Sequence, residues 1–188
     1  MDMMSPDPRL QDLRSELLPG EQLVWSGAPD ARRSALASWP IVAFGIPWTA
    51  FSLFWEAMAV GGFLSQDGAG FTWMAVVFGL FGLPFIAIGF GMLGAPLWVY
   101  RKAQATLYGI TDRRVLSVTN TKTKSVESVA GKQIGPIKRT QRGDGTGTLV
   151  LETHSSWDSD GDRQTETFLL EAIADVRHVE RLVRSLTG

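Results

Sequence analysis

Two long apolar stretches, residues 35–64 and 71–99, follow one another in the 188-residue sequence, and neither contains a lysine or an arginine. Each exceeds the roughly 20 residues that cross the hydrocarbon core of a bilayer. The pair predicts a transmembrane helical hairpin. Two such blocks in succession do not fit a buried soluble core. The first also begins too far along, and runs too long, to be the apolar region of a cleaved signal peptide. The expected organisation is a cytoplasmic arm over 1–34, the hairpin over 35–99, and one small cytoplasmic domain over 100–188.

Charge placement sets the orientation. All 18 Lys and Arg lie outside the hairpin: Arg32 and Arg33 precede the first span, and Arg101 and Lys102 follow the second. The connection 61–70 carries only Asp67. The positive-inside rule then puts both ends in the cytoplasm. Trp39, Trp98 and Tyr100 would mark the cytoplasmic interface, and Trp55 and Trp73 the opposite one, with Trp48 left as a packing residue. The second span is long enough to tilt or to run on into the cytoplasm. Pro40, Pro47, Pro84 and Pro96 are expected to kink or end these helices.

Glu56 is the only charge inside either span. It reads either as an interfacial carboxylate beside Trp55, or as the ligand of a small membrane enzyme or transporter component. Small residues recur at four-residue spacing at Ala75 and Gly79 and at Ala87, Gly91 and Ala95, a pattern that lets backbones approach. Packing within the chain and docking of a second copy or another membrane protein both satisfy it.

Little in the sequence supports catalysis. Cysteine is absent, which removes thiol chemistry, disulfides and zinc-thiolate or iron–sulfur sites. His154 and His178 are too few for a transition-metal site, and no cofactor is expected. The run Gly143, Gly145, Gly147 leads into a strand rather than a helix, so it reads as a hairpin turn instead of a phosphate loop. Asp158, Asp160 and Asp162 place Gly161 at the wrong position for a calcium loop and read as an exposed acidic turn. His154, Ser155, Ser156 and Asp158 are neighbours on one loop, whereas a triad is assembled from separate elements.

In the arm, Leu10, Leu13, Leu17 and Leu18 recur at helical spacing after Pro6 and Pro8, until Pro19 and Gly20 stop the pattern. This helix would lie on the membrane surface or against the domain. A short strand, 21–29, follows and contains Trp25, which is expected to dock on the domain. Past Arg101 the period changes to two. Candidate strands are 105–110, 114–119, 125–129, 134–140, 148–153 and 165–170, and an amphipathic helix closes over 175–186.

These motifs carry a resemblance. The run Leu18-Pro19-Gly20-Glu21, then Trp25-Ser26-Gly27-Ala28-Pro29, two spans, and Tyr108-Gly109-Ile110-Thr111-Asp112-Arg113-Arg114 together resemble the bacterial membrane-anchored pleckstrin-homology-like (PH-like) family. Gly145-Thr146-Gly147 and the closing helix extend the likeness along nearly the whole chain. The resemblance implies an α+β membrane protein: a two-helix hairpin plus a seven-stranded, bent antiparallel β-sheet capped by a C-terminal helix. It also implies a bacterial inner-membrane location and no established catalytic role. Some members of the family are linked to assembly of membrane complexes.

Charge within the domain is uneven. Residues 101–142 hold ten basic side chains against Asp112 and Glu127, while 143–188 hold four against nine acids. A basic half next to a span is drawn to anionic headgroups at about 1 kcal/mol per well-placed Lys or Arg. Arg101, Lys102, Arg113 and Arg114, together with Trp25, are the candidate binding residues. The two arginines are read as solvent-facing, with Asp112 bonding local backbone N–H groups. The basic half lacks interleaved aromatics, so nucleic acid is not an expected partner. The expectation is a non-catalytic binding or assembly module that contacts anionic lipid, a membrane-protein partner or a second copy of itself.

Overall fold

The computed structural model describes residues 7–65, 69–153, 156–157, 163–164 and 166–187. Two compact units emerge, one of residues 1–34 together with 100–188 and the other of residues 35–99.

The first unit is α+β. After helix α1, Pro8–Ser15, strand β1, Leu23–Gly27, leads toward helix α2, Ala31–Ala37. The chain re-enters the unit at the end of the second long helix and forms β2 (Thr106–Thr111), β3 (Arg114–Asn120) and β4 (Lys124–Ala130). A 3-10 turn, Gly131–Gln133, precedes β5 (Ile134–Gln141) and β6 (Gly147–Thr153). The short pair β7 (Ser156–Trp157) and β8 (Arg163–Gln164), then β9 (Thr167–Ile173) and helix α5 (Val176–Thr187), complete it. One antiparallel sheet has the order β1-β2-β3-β4, the second β5-β6-β9, and β7 pairs with β8. The seven main strands are thus divided between two sheets at the 3-10 turn, and the arm supplies the first of them. This is consistent with a PH-like arrangement.

Burial explains the pattern. Every residue of β2 is buried because both faces of the strand are covered. On one face Tyr108 and Ile110 join Leu149, Leu151, Leu170 and the α5 residues Val176, Val179 and Val183 in the main core. On the other, Leu107 packs with Leu116, Val118 and Leu13 of α1. The helix of the arm therefore lies against the sheet, and it ends at Ser15, short of Leu17 and Leu18. The arm's strand pairs with β2, with Trp25 opposite Ile110.

The second unit contains α3 (Trp39–Leu64) and most of α4 (Ala69–Gln104). Pro47 in α3 and Pro84 and Pro96 in α4 sit inside continuous helices, so of the two outcomes expected, a kink or an end, none of the three is an end. Pro40 takes the first turn, where its missing N–H costs nothing. The two helices meet through small residues. A Cβ at Gly45 would stand 2.8 Å from Met92 Cβ, one at Gly89 would overlap Thr49, and one at Gly82 would overlap the Glu56 carboxylate. The Thr49 and Ser52 hydroxyls donate to the carbonyls of Gly45 and Trp48, so neither buried polar group is orphaned.

Among the described residues of α4 before its last turn, the buried small residues are Ala75, Gly82 and Gly89, at seven-residue spacing. This corrects the expectation of a four-residue stripe: Gly79 does face Val60 and Glu56, but Ala87 and Gly91 are exposed, with nothing near Gly91. Outward, both helices are bare. Only 17% and 11% of their apolar 18-residue windows are buried, and both are long and apolar enough to cross a membrane.

Candidate functional site

The turn between β2 and β3 gathers the polar chemistry that joins arm to domain. Thr111 is fully buried, and its Oγ1 accepts from the N–H groups of Arg113 and Arg114 at 3.1 and 3.0 Å while donating to Glu21 Oε1 at 2.8 Å. The Glu21 side chain is 0% exposed. It receives Arg114 Nε at 2.8 Å, an Arg114 terminal nitrogen at 3.0 Å and the Leu18 N–H at 2.7 Å. That terminal nitrogen also reaches the Glu16 carbonyl at 2.8 Å. The Arg114 guanidinium is the main reason that the Glu21 carboxyl is held down to about 2, with Leu18 and Thr111 adding to it against the cost of burial.

This geometry corrects the reading of the turn. Arg114 does not point to solvent but is clamped in two-pronged fashion on the arm. Asp112 bonds the backbone of the arm rather than that of its own turn: Gln22 N–H donates to its carboxylate and its own N–H donates to the Gln22 carbonyl, while its other carboxylate oxygen lies 3.7 Å from Arg113 Nε. Trp25 is half-buried against the main core, its ring lying over Gly27. Of the candidate binding residues, Arg114 and Trp25 are therefore engaged in holding the arm. Arg101 and Lys102, in the last turn of α4, and Arg113 are exposed. Lys122, Lys132, Lys138 and Arg142 are exposed as well.

A second clasp closes the far end of the arm. Arg33 pairs with Asp30 and with Asp144 and donates to Thr146 Oγ1. Asp144 and Thr146 belong to the β5–β6 turn, where Gly145 takes φ 84° and its carbonyl accepts from Val176 N–H at the start of α5. Arg33, then Thr146, hold the Asp144 carboxyl well below the ordinary carboxylate range. The glycine-rich run is thus the hairpin turn expected of it. Lys124 with Glu16, and Asn120 with Asp12, fasten α1 to the first sheet.

Glu56 lies on the face of α3 that meets α4, half-buried, about 12 Å of helix before Leu64 at 1.5 Å per residue. Its carboxylate crosses to α4 at Gly79 and Gly82. Around it is a groove of about 380 Å³ walled by aromatic rings of both helices. Trp48, expected to pack, does so: its Nε1 donates to the Phe85 carbonyl at 3.0 Å and its ring stacks on Phe85.

No cluster of three or more potential metal ligands occurs among the described residues. The acidic turn 158–162, His154, Ser155, Asp67 and Pro6 lie outside the described residues. Sequence reading missed Glu21 and the aromatic walls around Glu56. The glycine at Gly82, seven residues from Ala75 and from Gly89, was the available signal for where Glu56 rests.

No protein-family model matches this chain, and no curated protein matches it. Among solved structures, it is similar to a DUF1696 family protein with a pleckstrin-homology domain from Shewanella loihica PV-4. The alignment covers 44% of this chain and 71% of that one, at 20% identity and a TM-score of 0.32. The architecture given above stands on this chain's own strand order and register.

Proposed function

We propose that this chain is a membrane-anchored, non-catalytic binding or assembly module of a bacterial inner membrane. Residues 35–99 cross the bilayer as a hairpin, and residues 1–34 with 100–188 form one cytoplasmic PH-like unit. The observation that carries the reading is the bare apolar surface of α3 and α4, where Phe44, Phe51, Phe54, Leu80, Phe81 and Phe90 are all more than half exposed. Such a surface is costly in water and ordinary in lipid. The exclusion of Lys and Arg from this segment supports the orientation.

Arg101, Lys102 and Arg113 supply the lipid-facing charge in this reading, with the exposed lysines of the same half behind them. Arg114 and Trp25 act indirectly, by fixing the arm. A membrane-protein partner or a second copy would meet the exposed Ala87 and Gly91 surface of α4. Membranes of cells that express the chain should retain it through an alkaline wash and release it only into detergent. Release into the wash would exclude the hairpin reading.

A further inference from the structure

The groove beside Glu56 has the makings of a ligand site in its own right, and it belongs to residues 35–99 alone, so it does not depend on the function proposed for the other unit. Trp48, Phe51 and Trp55 wall it from α3, and Phe78, Phe81 and Phe85 from α4. Its volume of about 380 Å³ falls within the roughly 300–1,000 Å³ of small-molecule pockets. Among the described residues, Glu56 has neither a hydrogen bond nor an ion pair. Its seat exists because residue 82 is glycine, since any Cβ there would overlap the carboxylate.

The lining discriminates among ligand classes. It contains no Lys, Arg or His, so nothing in it would hold an anion. Two carboxylate oxygens, even with the Ser52 hydroxyl oxygen added, fall well short of the six to eight that calcium takes. Soft transition metals find no thiolate or imidazole. A neutral apolar molecule would leave the carboxylate shut in without a partner, which is unfavourable. An organic cation meets both requirements: the carboxylate pairs with its charge, and aromatic faces attract the charge while covering the apolar body. The Trp48 N–H is turned to Phe85, so this indole offers the groove its ring rather than a donor. We propose that the groove binds a hydrophobic organic monocation with Glu56 as its counter-ion. The chemistry is shared by two sources, a lipid with an ammonium headgroup and a free amphiphilic cation.

The test uses the full chain, purified in an uncharged detergent, and radiolabelled tetraphenylphosphonium in equilibrium dialysis. Saturable binding of one cation per chain is expected. Glu56→Gln should weaken it at least tenfold, and Gly82→Ala, which leaves the carboxylate in place chemically but displaces it from its seat, should weaken it comparably. Glu56→Asp keeps the charge and should retain part of the binding. Far-UV circular dichroism checks that each variant keeps its helices. Neutral tetraphenylmethane, of the same shape, should not compete. Undiminished binding by a folded Glu56→Gln protein, or equal competition by the neutral compound, would overturn the proposal. If Glu56→Gln does not fold, the Gly82→Ala and tetraphenylmethane results decide. In nanodiscs, competition by phosphatidylethanolamine but not phosphatidylglycerol is expected if the occupant is a lipid headgroup. Indifference to both is expected if it is a free cation.

Discussion

At the β2–β3 turn Arg114 folds inward onto Glu21 while Arg113 stays exposed, so substitutions at these neighbours should have different consequences. Arg114→Ala strands a buried carboxylate that keeps only the Leu18 N–H and the Thr111 hydroxyl. Breaking a buried pair costs about 3–5 kcal/mol. Arg114 retains 19% of its side-chain exposure, so we expect about 2–4 kcal/mol, read by thermal unfolding of the full chain in detergent. Arg113→Ala should change stability by less than about 0.5 kcal/mol. It should instead weaken the protein's attachment to anionic relative to neutral vesicles at low salt, and the difference should vanish as salt rises. Equal stability of the two variants would contradict the clasp.

The same clasp makes a pH prediction. Glu21 titrates at about 2 in the folded protein against an ordinary value of 4.5. Its depressed value means that the stabilisation is complete above about pH 4.5 and is lost as pH falls from there toward 2, a change on the order of 3 kcal/mol. Glu21→Gln should lower stability at neutral pH and flatten that acid limb. An acid limb unchanged by the substitution would assign it to other carboxylates. None of this was legible locally: Glu21 stood out as part of a motif, but its partner is 93 residues away. The charge run 111–114 was visible as a turn, whereas the inward rotation of one arginine depends on a carboxylate that another segment brings to it.

For the elements, the strands were the most legible part. Their period of two and their turn residues located six of them to within three residues, although β2 is covered on both faces and alternates only in which core each side chain enters. β9 runs furthest past expectation, continuing to Ile173, which pairs with Gly147 after a break in register. The helix spacing of the arm was legible as well, yet only burial distinguishes Leu13, at 0% exposure, from Leu18, at 51%. β1 covers what would otherwise be an open edge of β2, and Trp25 anchors it. Trp25→Ala should therefore make residues 100–188 more sensitive to protease in detergent, and removal of residues 1–30 should do so more strongly. Resistance equal to wild type would mean that this region folds without the arm. On the helices, four-residue spacing of small residues was the obvious pattern and seven-residue spacing the operative one. Gly89→Leu should cost about 1–3 kcal/mol by forcing a side chain into Thr49, while Gly91→Leu should be tolerated in detergent. The sequence could not separate these two because both patterns share one helix, and only the partner helix selects between them.

Across the whole molecule, the segregation of charge and of apolar surface makes a single claim. One unit satisfies its buried polar groups and pairs its arm by strand, ion pair and core contact. The other leaves its aromatic and aliphatic side chains outward, with lysine and arginine excluded throughout. The bounds of the two long apolar helices were legible to within five residues because hydropathy is a sum over many residues: α3 starts at Trp39 and α4 runs on to Gln104. Glu56 was legible as an isolated charge but not as part of a groove, since half of its aromatic walls, Phe78, Phe81 and Phe85, come from a second helix read in antiparallel register. The claim that residues 35–99 form a hairpin with both flanks in the cytoplasm is the one on which the functional reading rests. Because the protein lacks cysteine, single cysteines placed at Ser65 and Lys122, both exposed, report on the two sides cleanly. In intact cells an impermeant maleimide should label position 65 and leave 122 unlabelled until the membrane is permeabilised; labelling of 122 in intact cells, or protection of 65, would contradict the account.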